Sequence, residues 1–210
     1  WRVSVGNGQG GIYNRLHPAL SENVIYVASA SGNVAALTAD EGDEIWEVAL
    51  DVPVSGGVAV NEGMVLLGTS TGQVFALNQQ SGETLWQADV EGEVLSAPKS
   101  DGEIVFVQTF DGQLLGLDAK TGERIWSFRT TLPVLTLRGT SEPLVVRNMV
   151  IAGFANGKLM AFDTDTGAVR WEVRVASAKG HSEIERLVDI DGSLLLIDNL
   201  VYAVSYQGAV

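Results

Sequence analysis

Residues 112–126 read Gly-Gln-Leu-Leu-Gly-Leu-Asp-Ala-Lys-Thr-Gly-Glu-Arg-Ile-Trp, and close copies of this stretch recur along the chain. Each copy has a glycine before a short apolar segment, a second glycine ten residues later and a tryptophan four residues after that. The tryptophans are Trp46, Trp86, Trp126 and Trp171, and Trp1 lies one further step upstream. A period of about forty residues with so many fixed positions predicts a repeat architecture.

An apolar run precedes each copy of the repeat, at residues 24–28, 64–67, 104–107, 149–152 and 200–204. These runs are too short for helices and are rich in β-branched residues, as strands are. Because they are apolar throughout rather than alternating, we expect sheets that are covered on both faces. The blades of a β-propeller meet this condition, since each lies between two neighbours. We therefore predict an all-β chain of four-stranded antiparallel blades, with the tryptophan on the outer strand.

The turn before each tryptophan strand has its own pattern. Residues 118–122 place Asp first and Gly last, and residues 78–82 and 163–167 have Asn or Asp and Gly at the same places. This order is typical of a type I turn closed by a glycine with positive φ. A large ring at a fixed position after the turn is expected to pack between adjacent blades.

The repeat divides the chain into one partial propeller domain over residues 1–210. Its expected parts are an outer strand of a shared blade at 1–5, blades at 17–50, 54–90, 94–130 and 137–175, and a truncated blade at 185–210. Propellers carry four to eight blades. The truncated last blade and the single leading strand indicate a fragment with about four to five blades of a larger ring. An open ring would expose blade faces and strand edges, and one hypothesis is that two copies self-associate to cover them.

The composition limits the possible functions. The chain has 13 Lys and Arg against 26 Asp and Glu, for a formal net charge of −13, which argues against a nucleic-acid partner. It has no cysteine and only two histidines, His17 and His181. Disulfides and cysteine nucleophiles are excluded in this chain, and little material remains for acid–base or metal chemistry. We expect no enzyme activity, no cofactor and no metal site.

Two insertions break the period, at residues 132–143 and 180–192. Both precede the inner strand of a blade, in successive blades, so we expect them to be neighbours on one face and to carry function. Leu135, Leu137 and Arg138 of the first insertion would meet Asp189 and Asp191 of the second in a mixed apolar and charged contact patch. The alternative is that both leucines belong to the inner-strand core and that Arg138 pairs internally with an acidic residue. Residues 182–187 are predicted to form one helical turn.

The repeat resembles the pyrroloquinoline-quinone (PQQ) type of propeller repeat, and the insertions resemble those of the BamB family of bacterial outer-membrane lipoproteins. The matching stretches are residues 16–20, 135–143 and 182–191. The resemblance implies an eight-bladed scaffold at the periplasmic face of the outer membrane, anchored through a lipidated N-terminal cysteine that this chain lacks. It implies binding to the POTRA domains of BamA and assistance to unfolded outer-membrane protein clients. Carried over by motif, the BamA-binding residues are Leu135, Leu137, Arg138, Asp189 and Asp191.

One enzyme alternative shares the repeat, namely a fragment of a PQQ-dependent quinoprotein dehydrogenase. Such a cofactor site would need a set of calcium ligands, and no carboxylate cluster recurs at a distinctive place. Residues 6–11 match the dinucleotide pattern G-x-G-x-x-G letter by letter, but no βαβ unit follows, which favours a simple loop. Residues 163–167 resemble part of a calcium loop and coincide with the hairpin turn of the repeat, which favours the turn.

Overall fold

A computed structural model describes residues 1–8, 10 and 15–206. It contains four four-stranded antiparallel sheets, which are four blades of a partial β-propeller, and a final two-stranded hairpin. A short strand β1 (Arg15–Leu16) adds in parallel to the inner strand of the second blade. The first blade is β2 (Ala19–Ser21), β3 (Val24–Ala28), β4 (Asn33–Thr38) and β5 (Glu44–Ala49). The second is β6 (Val54–Asn61), β7 (Met64–Thr69), β8 (Gln73–Asn78) and β9 (Thr84–Asp89).

The inner strands of the third and fourth blades are shorter than that of the second blade. The third blade is β10 (Lys99–Ser100), β11 (Ile104–Gln108), β12 (Gln113–Asp118) and β13 (Arg124–Arg129). The fourth is β14 (Leu144–Val146), β15 (Met149–Gly153), β16 (Lys158–Asp163) and β17 (Val169–Arg174). The final hairpin is β18 (Leu195–Ile197) and β19 (Leu200–Tyr202). No helix in the described part of the chain is long and apolar enough to cross a membrane.

The core lies between the blades rather than inside one sandwich. Along β7, Leu66 packs in a cluster with Val105 of the third blade, while Val65 and Leu67 pack with Val34 of the first blade. Successive side chains of a strand point to opposite faces, and here both faces are covered. This explains why the middle strands are apolar throughout, as predicted. The run at 200–204 differs, because Leu200 of the hairpin is 63% exposed and no further blade among the described residues covers it.

Four tryptophans, Trp1, Trp46, Trp86 and Trp126, each contact the turn of the next blade, which confirms the expected packing between blades. The Trp86 indole N–H donates to Ala119 O at 2.8 Å, and its ring lies over Gly122. A Cβ at Gly122 would be 2.6 Å from the Trp86 ring, so only glycine allows this approach. The same arrangement recurs for Trp1 with Ala39 and Gly42, for Trp46 with Gln79 and Gly82, and for Trp126 with Thr164 and Gly167.

The turn also explains the aspartate at its first position. Asp118 Oδ1 accepts hydrogen bonds from the N–H groups of Lys120 and Thr121, each at 2.9 Å. These backbone bonds, that from Thr121 first, lower the pKa of Asp118. Gly122 ends the turn: its N–H donates to Asp118 O and its φ is +74°. The predicted glycine with positive φ is therefore present at the end of the turn.

The structure differs from several sequence-based bounds: the first strand of the third blade begins at Lys99 rather than at residue 94, and that of the last unit at Leu195 rather than at residue 185. Two further differences concern residues 1–5 and the fourth blade. Residues 1–5 do not form a strand, because the described residues include no neighbouring strand of the same blade to pair with them. Trp1 nevertheless occupies the place of an outer tryptophan. The fourth blade begins at Leu144 rather than at residue 137. Residues 137–143 are held by bonds that involve side chains, such as Leu137 N–H donating to Asp189 and Gly153 N–H donating to Ser141 Oγ. The glycine-rich match at 6–11 and the end of the last repeat lie partly outside the described residues.

Candidate protein-interaction site

The connections between blades form one face of the molecule, together with the turns between the two middle strands of each blade. Three of them are central to the site: residues 91–98, residues 131–143, which contain the first insertion, and residues 176–194, which contain the second insertion. The first insertion begins against the turn before β16, where Asn156 Nδ2 donates to Thr130 Oγ1 at 3.0 Å and to Thr131 O at 3.1 Å. The start of this insertion is thus fixed to the fourth blade.

The first insertion exposes apolar side chains. Residues 131–143 contain no strand, Val134 is 99% exposed and Leu135 is 40% exposed. Leu137 is half-buried and Arg138 is exposed. Both leucines therefore lie outside the inner-strand core, contrary to one of the two alternatives left open by the sequence. An exposed leucine beside an exposed arginine is a combination suited to a protein contact.

The second insertion is exposed at its start and buried at its end. A single 3₁₀ turn spans Ile184–Arg186, within the predicted helical turn, and buries no residue. After it the chain is packed inward: Leu187, Val188 and Ile190 are buried, and a Cβ at Gly153 would come within 2.3 Å of Ile190. The chain is held there by Ile190 N–H donating to Phe154 O at 3.3 Å. Asp189 lies between these buried residues and is itself only 1% exposed.

Asp189 connects the two insertions. Its Oδ1 accepts the backbone N–H of Leu137 at 2.7 Å, across 52 residues of sequence. Burial raises the pKa of Asp189 and the charge of Asp191 adds to this, while the Leu137 hydrogen bond acts in the opposite direction. The two insertions are therefore neighbours, and the bond is made by a carboxylate that has lost nearly all contact with water.

Asp191 and Gly139 form a second point of approach between the insertions. A Cβ built on Gly139 would lie 3.2 Å from both Cβ and Oδ2 of Asp191. A side chain at residue 139 would therefore need Asp191 to shift by a few tenths of an ångström. Asp191 is half-buried and lines a small pocket with Thr140 and Glu142 of the first insertion.

Arg138 pairs with a residue that the sequence did not single out. Its Nη1 lies 2.6 Å from Oε2 of Glu93, at angles that make the contact an ion pair rather than a hydrogen bond. The alternative that placed both leucines in the core is therefore correct in its second part, since Arg138 does pair internally with an acidic residue. Asp189 accepts the Leu137 N–H, and Glu93 is the carboxylate that pairs with Arg138. Glu93 carries no signal in the sequence, since it lies in a connection of ordinary length.

The five residues predicted from the insertions thus differ in their exposure to solvent. Leu135 and Arg138 are exposed, Leu137 and Asp191 are half-buried, and Asp189 is buried. Among the described residues no group of three or more His, Asp or Glu is arranged to hold a metal ion. The geometry supports a contact surface in which Asp189 fixes the backbone and the exposed residues face outward.

The tandem blades and their tryptophan contacts define a β-propeller of the PQQ-type repeat, with a non-repeating surface built from its insertions. The family model described as outer membrane protein assembly factor BamB matches residues 1–91 and 30–210. The chain belongs to the BamB family. This confirms the family assigned from the insertions.

Relatives of known function agree with this assignment. The outer membrane protein assembly factor BamB of Pseudomonas aeruginosa is 62% identical over 208 residues, covering 99% of this chain and 55% of that protein. The protein of the same name from Escherichia coli is 39% identical over 218 residues, covering 99% of this chain and 56% of that protein. The chain therefore spans just over half the length of these relatives.

Solved structures give the same result for the fold. The crystal structure of BamB from Moraxella catarrhalis matches with a TM-score of 0.86 and 31% identity, over 93% of this chain and 59% of that chain. The quinohemoprotein alcohol dehydrogenase of Comamonas testosteroni matches with a TM-score of 0.66 and 16% identity, over 91% of this chain and 39% of that chain. At that identity the likeness shows the fold alone, so it lends no support to the dehydrogenase alternative.

Proposed function

We propose that this chain is part of a non-enzymatic scaffold that binds the POTRA domains of BamA at the periplasmic face of the outer membrane. There it would assist the assembly and insertion of outer-membrane β-barrel proteins. Membership of the BamB family supports this function, and the joined insertions supply a surface for it. The observation that carries the site is the hydrogen bond from Leu137 N–H to the buried Asp189, because it holds an exposed apolar and cationic segment in one conformation.

The five residues have different roles in this proposal. Leu135 supplies an apolar anchor, since 40% of its surface is exposed. Arg138 supplies a cation with several N–H donors, which suit a partner carboxylate. Asp189 is a positioning residue, because a side chain that is 1% exposed acts through Leu137 rather than by contact. Leu137 and Asp191 are half-buried and lie between the exposed contact residues and the buried Asp189.

The fixed conformation matters for affinity. Ordering a loop on binding costs free energy, and a loop that is already held in its bound conformation avoids that cost. Asn156 holds the start of the first insertion and Asp189 holds its middle. Leu135 and Arg138 lie between or next to these two fixed points. The scaffold would thus present its anchors without a large rearrangement.

The test is a calorimetric titration of the chain with purified POTRA domains of BamA. We expect Arg138→Ala to weaken binding by about 2 kcal/mol, or about thirtyfold in Kd, as for the removal of an interface anchor. The matched control is Arg170→Ala. Arg170 is also ion-paired and has 42% side-chain exposure against 40% for Arg138, but it lies at the start of β17, next to the turn on the opposite face of the blade.

The outcome separates several explanations. Equal affinity of wild type and Arg138→Ala would remove Arg138 from the surface. An equal loss in both arginine variants would mean that a general change of charge, not a site, is responsible. No binding by wild-type chain that is folded by circular dichroism would contradict the proposal for this part of the protein.

A further inference from the structure

The connection at residues 91–98 contacts the first insertion along its length. Glu93 Oε2 is 2.6 Å from Arg138 Nη1, and Thr140 Oγ1 donates to Ser96 Oγ at 2.9 Å. Just beyond the connection, Lys99 Nζ pairs with Glu142 Oε2 at 3.1 Å. Three successive connections between blades are therefore joined, the first to the second through Glu93 and the second to the third through Asp189.

The backbone around Glu93 is firmly held. Val94 is fully buried, and its N–H donates to Thr69 O at 3.0 Å. Val94 O accepts from Ser55 Oγ at 2.8 Å, and Glu93 O accepts from Phe110 N–H at 2.8 Å. These bonds tie residues 93 and 94 to both the second and the third blades. The Glu93 carboxylate is thus presented to Arg138 from a rigid base.

Arg138 has more donors than Glu93 uses. A guanidinium carries five N–H groups in a planar fork, and the pair with Glu93 involves one of its terminal nitrogens. The side chain remains 40% exposed, so its other donors can face solvent. An unrestrained arginine would lose rotamer entropy when it binds a partner, and an internal ion pair reduces that loss.

We propose that Glu93 is a positioning residue of the interaction surface, which orients the Arg138 guanidinium towards a carboxylate on the partner. This inference rests on the proposed function. It extends the surface to a third connection, outside the two insertions. The neighbouring Leu135 is exposed, so the matching partner site is a carboxylate bordered by apolar side chains.

The first test compares Glu93→Gln with Glu91→Gln in the calorimetric titration with POTRA domains. Glutamine is isosteric, and both changes remove one negative charge from the same connection. We expect Glu93→Gln to weaken binding about fivefold, within the range for residues in direct contact, and Glu91→Gln to leave the affinity unchanged. In an Arg138→Ala background, Glu93→Gln should have no further effect, since a positioning residue acts only through the group that it positions.

The second test needs no partner. Phenylglyoxal modifies arginine side chains, and mass spectrometry measures the rate at Arg138. We expect Arg138 to react faster in Glu93→Gln than in wild type, and at the wild-type rate in Glu91→Gln. An equal rate in all three proteins would overturn the proposed orientation.

The proposed function and this inference fail in different ways. If wild type binds and Arg138→Ala weakens binding while Glu93→Gln does not, the role of Glu93 is wrong and the surface stands. If Glu93→Gln weakens binding equally with and without Arg138, Glu93 acts by another route and the inference is also wrong. If wild type does not bind, the proposed function fails, and the role of Glu93 in binding fails with it.

Discussion

Replacing Gly122 with alanine is expected to destabilise the junction between the second and third blades. Gly122 closes the turn before β13 with a φ of +74°, and the Trp86 ring of the preceding blade lies directly over it. An alanine there meets two separate problems. Its backbone must adopt a left-handed conformation, and its Cβ must lie 2.6 Å from Cε3 of the tryptophan.

The two contributions can be estimated separately. The left-handed conformation costs an L-residue about 1 to 2 kcal/mol relative to glycine. Forcing a methyl group into a packed contact costs about 1 to 3 kcal/mol, because the ring or the turn must move. We therefore expect Gly122→Ala to lower the free energy of unfolding by about 2 to 5 kcal/mol.

Gly63→Ala is the matched control. Gly63 has a φ of +80° in the turn between β6 and β7, and a Cβ there would meet nothing within 4 Å. It should show only the conformational cost, about 1 to 2 kcal/mol. The assay is urea unfolding followed by tryptophan fluorescence, with linear extrapolation to water. If Gly122→Ala costs no more than Gly63→Ala, the tryptophan does not press on the turn, and the account of the blade junction is wrong.

Further predictions concern one hydrogen bond and two carboxylates. Trp126→Phe removes the indole N–H that donates to Thr164 O at 2.7 Å. Because a buried acceptor is then left without its donor, urea unfolding should show a free energy of unfolding lower by about 1 to 3 kcal/mol. An unchanged free energy of unfolding would contradict the bond. Hydrogen bonds from Arg170 and then Thr166 lower the pKa of Asp163 to about 2 from 3.8, so its contribution to stability is present above pH 3.8 and is lost as the pH falls through about 2. The stability difference between wild type and Asp163→Asn should therefore shrink over that range, and a constant difference would argue against the pairing. Burial raises the pKa of Asp189, so its favourable contribution is present at low pH and is lost as the pH rises through the raised value. Asp189→Asn keeps an acceptor for Leu137 N–H, so the stability of this variant relative to wild type should rise as the pH increases from 3.8 through the raised pKa of Asp189. A fall would mean that the charge itself is needed.

The sequence predicts the blades well because every copy of the repeat has the same surroundings. The middle strands are apolar throughout since both faces of each blade are covered, and β7 and β11 are buried along their whole lengths. The turn glycines and the tryptophans recur together because each glycine makes room for the ring of the preceding blade. Physical causes that repeat leave a pattern that can be recognised in one sequence.

The ends of the repeat are predicted less well. Residues 137–143 were expected to begin the fourth blade, but their polar groups bond to side chains, as Leu137 N–H does to Asp189 and Ser141 Oγ does to Gln108 Oε1 at 2.9 Å. Such bonds have no period in the sequence. The first of these bonds satisfies a backbone N–H that would otherwise need a neighbouring strand or water.

In the site, too, features that change the repeat period can be predicted from the sequence, whereas contacts that occur only once cannot. The insertions were recognised because they lengthen the period, and the structure places them together through Asp189 and Leu137. The burial of Asp189 could not be predicted, since an aspartate in a long insertion is usually solvated. Glu93 was missed because it lies in a connection that keeps the usual length, and its importance comes only from the distance to Arg138.

These contacts make the proposed surface depend on the junctions between blades. Glu93 lies between the second and third blades, Arg138 between the third and fourth, and Asp189 beyond the fourth, so the surface spans three successive connections. A rotation of one blade against the next would change the distance between Glu93 and Arg138 by moving their supports. The tryptophan contacts that set the angle between blades therefore also set the geometry of the surface. It follows that a junction variant such as Gly122→Ala should weaken partner binding as well as stability, although residue 122 lies on the opposite face.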